Sequence, residues 1–202
     1  MAEYKTLLQS LVNSPDCVAK YVCIIQAFTG MRIGEVLGLT WDKFNIFNKQ
    51  IEINEAFDED TKELTHLKDH TDPRTIQVQQ LLFDYMAEYK KWRVLAQKQG
   101  IVISINNYVF AGEQGTPITI SAVNRYLARL CERTKILRIT THGWRRTQAT
   151  LMTLATVDNK FIASFLGHSV ATLEKYYIRE TEDLKKQNRD LRESFFKDQG
   201  LA

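Results

Sequence analysis

The sequence predicts an α+β fold that is mainly helical, with a small antiparallel β-sheet, in one domain spanning residues 1–202. Three observations carry that expectation. Segments with an apolar period near 3.6 occupy the first 43 residues and most of the chain after Leu81. Between Phe44 and Gln79 the period shifts toward two, the signature of strands. The 202 residues are 44% hydrophobic and 25% charged, a composition that builds a single globular core and excludes wholesale disorder.

Taken in order, residues 1–13 (MAEYKTLLQSLVN) read as a short amphipathic helix. Ser14-Pro15-Asp16 reads as the start of the next one, with a capping hydroxyl, proline in the first turn and an acid at the positive end of the dipole. That helix runs through VAKYVCIIQAF until Thr29-Gly30 stops it. A third follows from about Arg32 to Leu39, with Val36, Leu37 and Leu39 inward and Arg32 and Glu35 sharing a face one turn apart. The segments from Ile51 to Phe57 and from Arg74 to Gln79 read as strands, and LKDHTDPR, with Asp-Pro inside it, as the turn region before the second. Leu81 to Gln99 is a long helix ended by Gly100. After Tyr108-Val109-Phe110 and the GEQGTP loop, a helix is expected from Ser121 to Arg133, and the next stretch is helical on both sides of Asp158-Asn159. The tail from Arg179 to Ala202 is charged and helix-forming with few apolar anchors, which predicts a loosely attached terminal helix.

A formal net charge of +3 identifies no partner, but its distribution is uneven. Between Ser121 and Lys160, Arg125, Arg129, Arg133, Lys135, Arg138, Arg145, Arg146 and Lys160 face only Glu132 and Asp158, whereas Glu55, Asp58, Glu59 and Asp60 make the earlier strand region acidic. A nearly neutral chain with one basic face suits a polyanionic partner. Cys17, Cys23 and Cys131 are odd in number and lack metal-ligand spacing, so they read as reduced thiols of a cytoplasmic protein. The start of the chain has no signal-peptide pattern, and the apolar run from Tyr21 to Phe28 is too short to span a bilayer; no membrane partner is expected.

The stretch Thr141 to Tyr177 concentrates chemistry. His142, Arg145, Arg146, His168 and the pair Tyr176 and Tyr177 fall within it. Guanidinium forks grip phosphate oxygens, and a phenol is a nucleophile that needs both a positive field and a base. Phosphoryl transfer depends mainly on positioning and on stabilising charge over the non-bridging oxygens, so this set suits a tyrosine attacking a phosphodiester. Other combinations carry less. His66 and His70, four apart, lie among turn residues with no third ligand and read as a solvated loop, and Asp58-Glu59-Asp60 reads as a solvated turn tip rather than a metal site.

Four segments together bear a family resemblance. TGMRIGEVLGLTWDKF (29–44), LKDHTDPRTIQV (67–78), THGWRRTQAT (141–150) and LGHSVATLEKYY (166–177) resemble, in order and spacing, the signature boxes of the catalytic domain of tyrosine recombinases, or phage integrases. The resemblance implies that Arg32 is the first catalytic arginine with Glu35 as its supporting acid, and that Lys68 is the hairpin lysine and Arg74 the basic residue opening the next strand. It implies that His142 and Arg145 are the H-x-x-R pair, His168 the third-box histidine and Tyr177 the nucleophile. Composition does not separate Tyr176 from Tyr177; the family spacing of nine from His168 selects Tyr177. Arg146 stands where members usually carry a second histidine, and Trp144 where they usually carry leucine.

The resemblance also implies an activity, site-specific DNA recombination through a 3′-phosphotyrosyl diester. That reaction needs no metal, ATP or other cofactor and no small-molecule substrate, because one diester replaces another. Double-stranded DNA is the expected partner, with Arg74, Arg125 and Arg146 as DNA contacts and with self-association on DNA, as a tetramer, in which the tail docks on a neighbour. The DNA-binding domain that precedes this domain in the family is not in this sequence, so the chain is expected to be a C-terminal catalytic part. Two alternatives stay open at this point: a DNA-binding or regulatory module without activity, and relaxation of supercoils by a topoisomerase of the related nicking type.

Overall fold

The computed structural model describes residues 2–67, 73–101, 107–113 and 115–176. Lys68, His70, Tyr177 and the tail from Arg179 lie outside the described residues. The expected α+β architecture is present. Its elements in chain order are α1 (Ala2–Val12), α2 (Val18–Thr29), α3 (Ile33–Leu37), a 3₁₀ turn (Trp41–Lys43), β1 (Phe44–Asn45), β2 (Gln50–Ile53), β3 (Glu55–Asp58), β4 (Glu63–His66), β5 (Arg74–Gln77), α4 (Gln80–Lys98), α5 (Ile120–Thr134), α6 (Thr141–Leu154), α7 (Asn159–Leu166) and α8 (Val170–Tyr176).

Helix α2 is the axis of the fold. Tyr21, Val22, Cys23, Ile24, Ile25 and Ala27 are all buried, so the helix is apolar around most of its circumference, as a helix enclosed by others must be. It packs against α1, α3, α4, α5 and α6. Its start departs from the expectation, because Ser14-Pro15-Asp16 does not begin it. The Ser14 hydroxyl donates back to the Ser10 carbonyl (2.7 Å) and closes α1 instead. The Asp16 carboxylate accepts from Lys20 Nζ (2.9 Å) and Tyr21 OH (2.8 Å), tying the connection down from within the next helix. The first helical residue is Val18, and Cys17 stands before it in extended conformation without a side-chain cap.

The strand region forms two small sheets where one was expected. One is three-stranded in the order β1-β2-β5, antiparallel throughout, with Ile51 opposite Ile76 and Ile53 opposite Arg74. The other is the hairpin β3-β4, with Phe57 opposite Leu64. The expected strand from Ile51 to Phe57 divides at Asn54, where the chain changes partners from β5 to β4 while Ile51, Ile53 and Phe57 keep one buried face. Strand β4 has no sequence signal of its own, since Glu63, Thr65 and His66 are polar and Leu64 is its one apolar residue. The acidic tip is also less solvated than expected. Glu59 Oε2 accepts the Ile120 backbone N–H (3.1 Å), placing an anion at the positive end of α5, beside the Thr119 hydroxyl that caps the Ala122 N–H.

Most buried apolar residues form one core around α2, while Ala149, Ile162, Ala163, Leu166 and Leu173 form a satellite core under α6, α7 and α8. The seam between them becomes the functional site. Trp144, the departure from leucine, is fully buried, with its ring edge-on to Tyr4 of α1 at 6.2 Å. The three cysteines are free, with Cys23 and Cys131 buried and Cys17 partly so. Among the described residues no helix is long and apolar enough to cross a membrane.

Gly38, which ends α3, fixes how closely that helix rides on β3. A Cβ there would lie 2.9 Å from the Phe57 backbone nitrogen and 3.1 Å from the Ala56 carbonyl carbon, and backbone has little freedom to yield. Although alanine favours helix by up to about 1 kcal/mol, Gly38→Ala is expected to destabilise the protein by about 1–3 kcal/mol through overpacking. A urea titration would show a lower midpoint at unchanged slope; an unchanged or higher midpoint would mean that the α3–β3 contact relaxes freely.

Candidate active site

The first arginine is placed by the end of one helix and the start of the next. Gly30 terminates α2 in the left-handed conformation (φ 63°), and its N–H closes on the Gln26 carbonyl. Two residues later Arg32 is the extended N-cap of α3. Glu35, one turn in, reaches back to accept the Arg32 backbone N–H (2.9 Å), the acid half of a capping box. Its other oxygen accepts from Arg32 Nη1 (3.0 Å). The Arg32 side chain remains 40% exposed while Glu35 is 2% exposed, so the carboxylate anchors and the guanidinium presents.

Arg74 completes the shell around Glu35. From the first position of β5 its Nη1 and Nη2 donate to the two carboxylate oxygens at 3.1 and 2.8 Å, a bidentate fork, and its Nε donates to the Phe165 carbonyl (3.0 Å). Burial raises a carboxyl's pKa, but Arg74, then Arg145 and the Arg32 N–H, outweigh it and hold Glu35 below its ordinary range. Expected as a DNA contact, Arg74 is turned inward, with its side chain 9% exposed.

Arg145 lies one turn into α6, three residues after His142, and is 1% exposed. Its Nη1 donates to the Gly30 carbonyl (3.0 Å) and its Nη2 to the Leu166 carbonyl. Arg32 Nη2 donates to the Gly167 carbonyl (3.0 Å). Three guanidinium groups therefore hold three successive carbonyls, Phe165, Leu166 and Gly167, at the negative end of α7. Gly167 is required there twice over. Its φ of 72° favours glycine, and a Cβ would lie 2.5 Å from Arg74 Nη1 and 2.7 Å from Arg74 Cζ, an arginine pinned by Glu35 and Phe165 and unable to retreat.

The turn after Gly167 carries His168, whose Nδ1 lies 3.3 Å from the Ser169 carbonyl. A donor on Nδ1 leaves the lone pair on Nε2. Partial desolvation, then Arg145, and then Arg32 and Arg74, outweigh that hydrogen bond and bring the His168 pKa down to about 4. His142, in the first turn of α6, is likewise lowered, by partial desolvation and then by Arg145, Arg146 and Arg32. In both imidazoles the shift favours the neutral form.

The structure thus gathers Arg32, Glu35, Arg74, Arg145 and His168 through direct contacts and a shared helix end, with His142 within the field of Arg145 and Arg32. Arg125 and Arg146 are exposed on α5 and α6, and Arg146 adds to the field on His142. Lys68 and Tyr177 lie outside the described residues, directly after Leu67 and after Tyr176, the last residue of α8. Sequence reasoning missed Gly30 and Gly167 as parts of the site, although a glycine closing a helical pattern at the head of a sequence box was visible in both TGMR and LGHS. Among the described residues no group of His, Cys, Asp and Glu is arranged to hold a metal ion.

The geometry meets its relatives here. The phage integrase family's sequence model matches residues 1–183. Transposase A from transposon Tn554 of Staphylococcus aureus is 28% identical over 198 residues, covering 92% of this chain and 49% of that protein. The integrase of Staphylococcus phage L54a is 29% identical over 178 residues, covering 81% and 48%. This chain spans about half the length of these curated relatives. In solved structures the same fold occurs in XerA recombinase, with a TM-score of 0.75 and 21% identity over 95% of this chain and 63% of that one. The Tn1549 transposon integrase in complex with transposon right end DNA gives 0.72 and 20% over 94% and 64%. A family match over nearly the full length, with the four sequence boxes in order and the recombinase fold beneath them, admits one assignment: the chain belongs to the phage integrase family.

Proposed function

We propose that this chain carries the catalytic centre of a site-specific DNA recombinase that cleaves and rejoins strands through a 3′-phosphotyrosyl intermediate, with Tyr177 as nucleophile. The observation that carries this reading is the convergence of Arg32 and Arg145 on the turn that bears His168, nine residues before Tyr177 in sequence. Double-stranded DNA is the substrate. Neighbours in fold were solved on DNA, among them the Tn1549 integrase, XerH recombinase and lambda integrase. Curated relatives carry the names integrase, transposase and tyrosine recombinase, which favours strand exchange over relaxation.

A tyrosine titrates near ~10, so forming its phenolate at neutral pH costs about 4 kcal/mol. The arginine field offsets part of that cost, and His168, neutral at pH 7, accepts the phenol's proton. The Tyr177 oxygen attacks phosphorus while the bond to the 5′ oxygen breaks. Arg32 and Arg145 stabilise the charge gathering on the non-bridging oxygens. The departing 5′ oxygen, about as weak an acid as water (~15.7), takes its proton from Lys68. Rejoining reverses each step with a 5′ hydroxyl as nucleophile. Arg146 and Arg125, exposed and basic, dock the duplex backbone, and copies of the protein assemble on DNA as a tetramer.

Three measurements test this reading. On a suicide substrate that traps the covalent complex, Tyr177→Phe should abolish the DNA–protein adduct and Tyr176→Phe should keep it. Peptide mapping that finds DNA on Tyr176 would overturn the assignment, and no adduct from wild type would refute the enzymatic reading.

Lys68→Ala should slow cleavage of ordinary DNA and leave binding intact. A sulfur at the bridging 5′ position departs without a proton, so that substrate should restore the mutant's rate. If sulfur brings no selective recovery, Lys68 is not the acid.

Arg32→Ala, at a half-exposed side chain, should cost ~10²–10³ in the rate of adduct formation, the scale of one lost oxyanion donor. DNA affinity should change far less, since many phosphate contacts share it. A loss of affinity proportional to the loss of rate would make Arg32 a docking contact instead.

A further inference from the structure

Arg74 presents a contradiction that its place in the sequence does not resolve. It is a cation at the first position of a strand, in a protein read as binding DNA, yet its guanidinium is turned away from solvent and has partners on three sides. The fork grips both oxygens of Glu35 at 2.8 and 3.1 Å. The Nε donates to the Phe165 carbonyl (3.0 Å). The plane lies against Gly167, where the position of a would-be Cβ is only 2.5–3.0 Å from Nη1, Cζ and Nε. These three partners belong to two different parts of the fold. Glu35 comes from the main core and holds Arg32 by its backbone N–H and its Nη1. Phe165, in the last turn of α7, and Gly167, its cap, lead into His168, and the Gly167 carbonyl is itself the acceptor for Arg32 Nη2.

From this we infer that Arg74 is a positioning residue for the reaction and not a DNA contact: it locks Glu35 to the Phe165–Gly167 turn and so fixes Arg32 relative to His168. The reach of the side chain explains why arginine stands here. Lysine has one nitrogen and cannot serve a carboxylate in bidentate fashion and a carbonyl beyond it at once. Without Arg74, Glu35 keeps only Arg32, and the Arg32 side chain gains freedom to swing toward solvent, where it is already 40% exposed. A guanidinium displaced by about 1 Å loses on the order of 10²-fold in rate even though every reacting group is still present.

The inference rests on the recombinase reading, and its test separates the two. Adduct formation is measured at saturating DNA on the suicide substrate for wild type, Arg74→Ala, Arg32→Ala and the double variant, with DNA affinity followed against salt for each. Arg74→Ala should lower the saturated rate at least ~10-fold with its affinity and salt slope unchanged. In the Arg32→Ala background, removing Arg74 should cost less than about threefold, because the group it positions is already gone. Should Arg74→Ala melt below the assay temperature, Arg74→Lys and Arg74→Gln, which lose the fork with and without the charge, carry the rate and salt comparisons respectively. A salt slope shallower by about one would make Arg74 a phosphate contact and overturn the inference; so would losses that multiply in the double variant. A wild-type protein that forms no adduct refutes the recombinase reading, and this inference falls with it, whereas a reactive wild type matched by an equally reactive Arg74→Ala refutes the inference alone.

Discussion

Three guanidinium groups gathered in one corner of a protein repel one another, and the Glu35 carboxylate is what makes the gathering tolerable. It accepts from Arg32 Nη1 and Arg74 Nη1 on one oxygen and from the Arg32 backbone N–H and Arg74 Nη2 on the other, so its acceptor positions are fully used. Such a group is removed from water without being left unsatisfied, the condition under which a buried charge is retained. A single carboxylate does not neutralise three cations. The end of α7 contributes a further partial charge of about −0.5, and the surplus is positive. That surplus is the property the proposed phosphodiester substrate needs, and it exists because one acid stands where it organises the arginines without cancelling them.

Helix ends do much of the remaining work. Helices α2 and α7 both finish in a left-handed glycine, Gly30 and Gly167, and in both cases the glycine's carbonyl accepts from an arginine of the candidate site. Arg145 reaches Gly30 from α6, while Arg32 reaches Gly167 from α3. The caps that stop the helices thus aim two acceptors at the site and tie the main core to the satellite core. Gly30 is also sterically committed, since a Cβ would meet Leu166 Cδ2 at 2.7 Å and Gln148 Cβ at 3.0 Å. Sequence punctuation and site architecture are here the same residues.

That coincidence explains what could be read from the residues alone. The helix boundaries at Thr29-Gly30 and Gly100 and the inward face of Val36, Leu37 and Leu39 were legible because local backbone chemistry and periodicity decide them. So was the Arg32–Glu35 pair, whose spacing is local. The division of the sheet at Asn54 was not legible, because the change of partner is decided by β4, a polar strand without its own pattern. Ser14-Pro15-Asp16 misled for the opposite reason: its residues suit a helix start, but the Ser14 hydroxyl closes α1 and the Asp16 carboxylate is held by Lys20 and Tyr21 from within α2. The inward turn of Arg74 depends on Glu35, 39 residues earlier, and on Phe165, 91 residues later, a distance over which charge patterning carries no information.

The histidines show how one arrangement of charge serves two chemical requirements. A phenol loses its proton only if the resulting anion is stabilised and something nearby accepts the proton. In the proposed reaction the arginines supply the first through their field. The same field, acting with partial desolvation, holds His142 and His168 below their ordinary titration range and favours their neutral forms. A histidine placed beside carboxylates would titrate upward and arrive already protonated, unable to serve as a base. Glu35 does not have that effect because its charge is engaged by Arg74 and Arg32. The buried pair of Glu35 and Arg74 therefore sets more than a geometry: with the Glu35 charge engaged by Arg74 and Arg32, the remaining positive field of the arginines acts on both histidines and, in the proposed reaction, on phosphate.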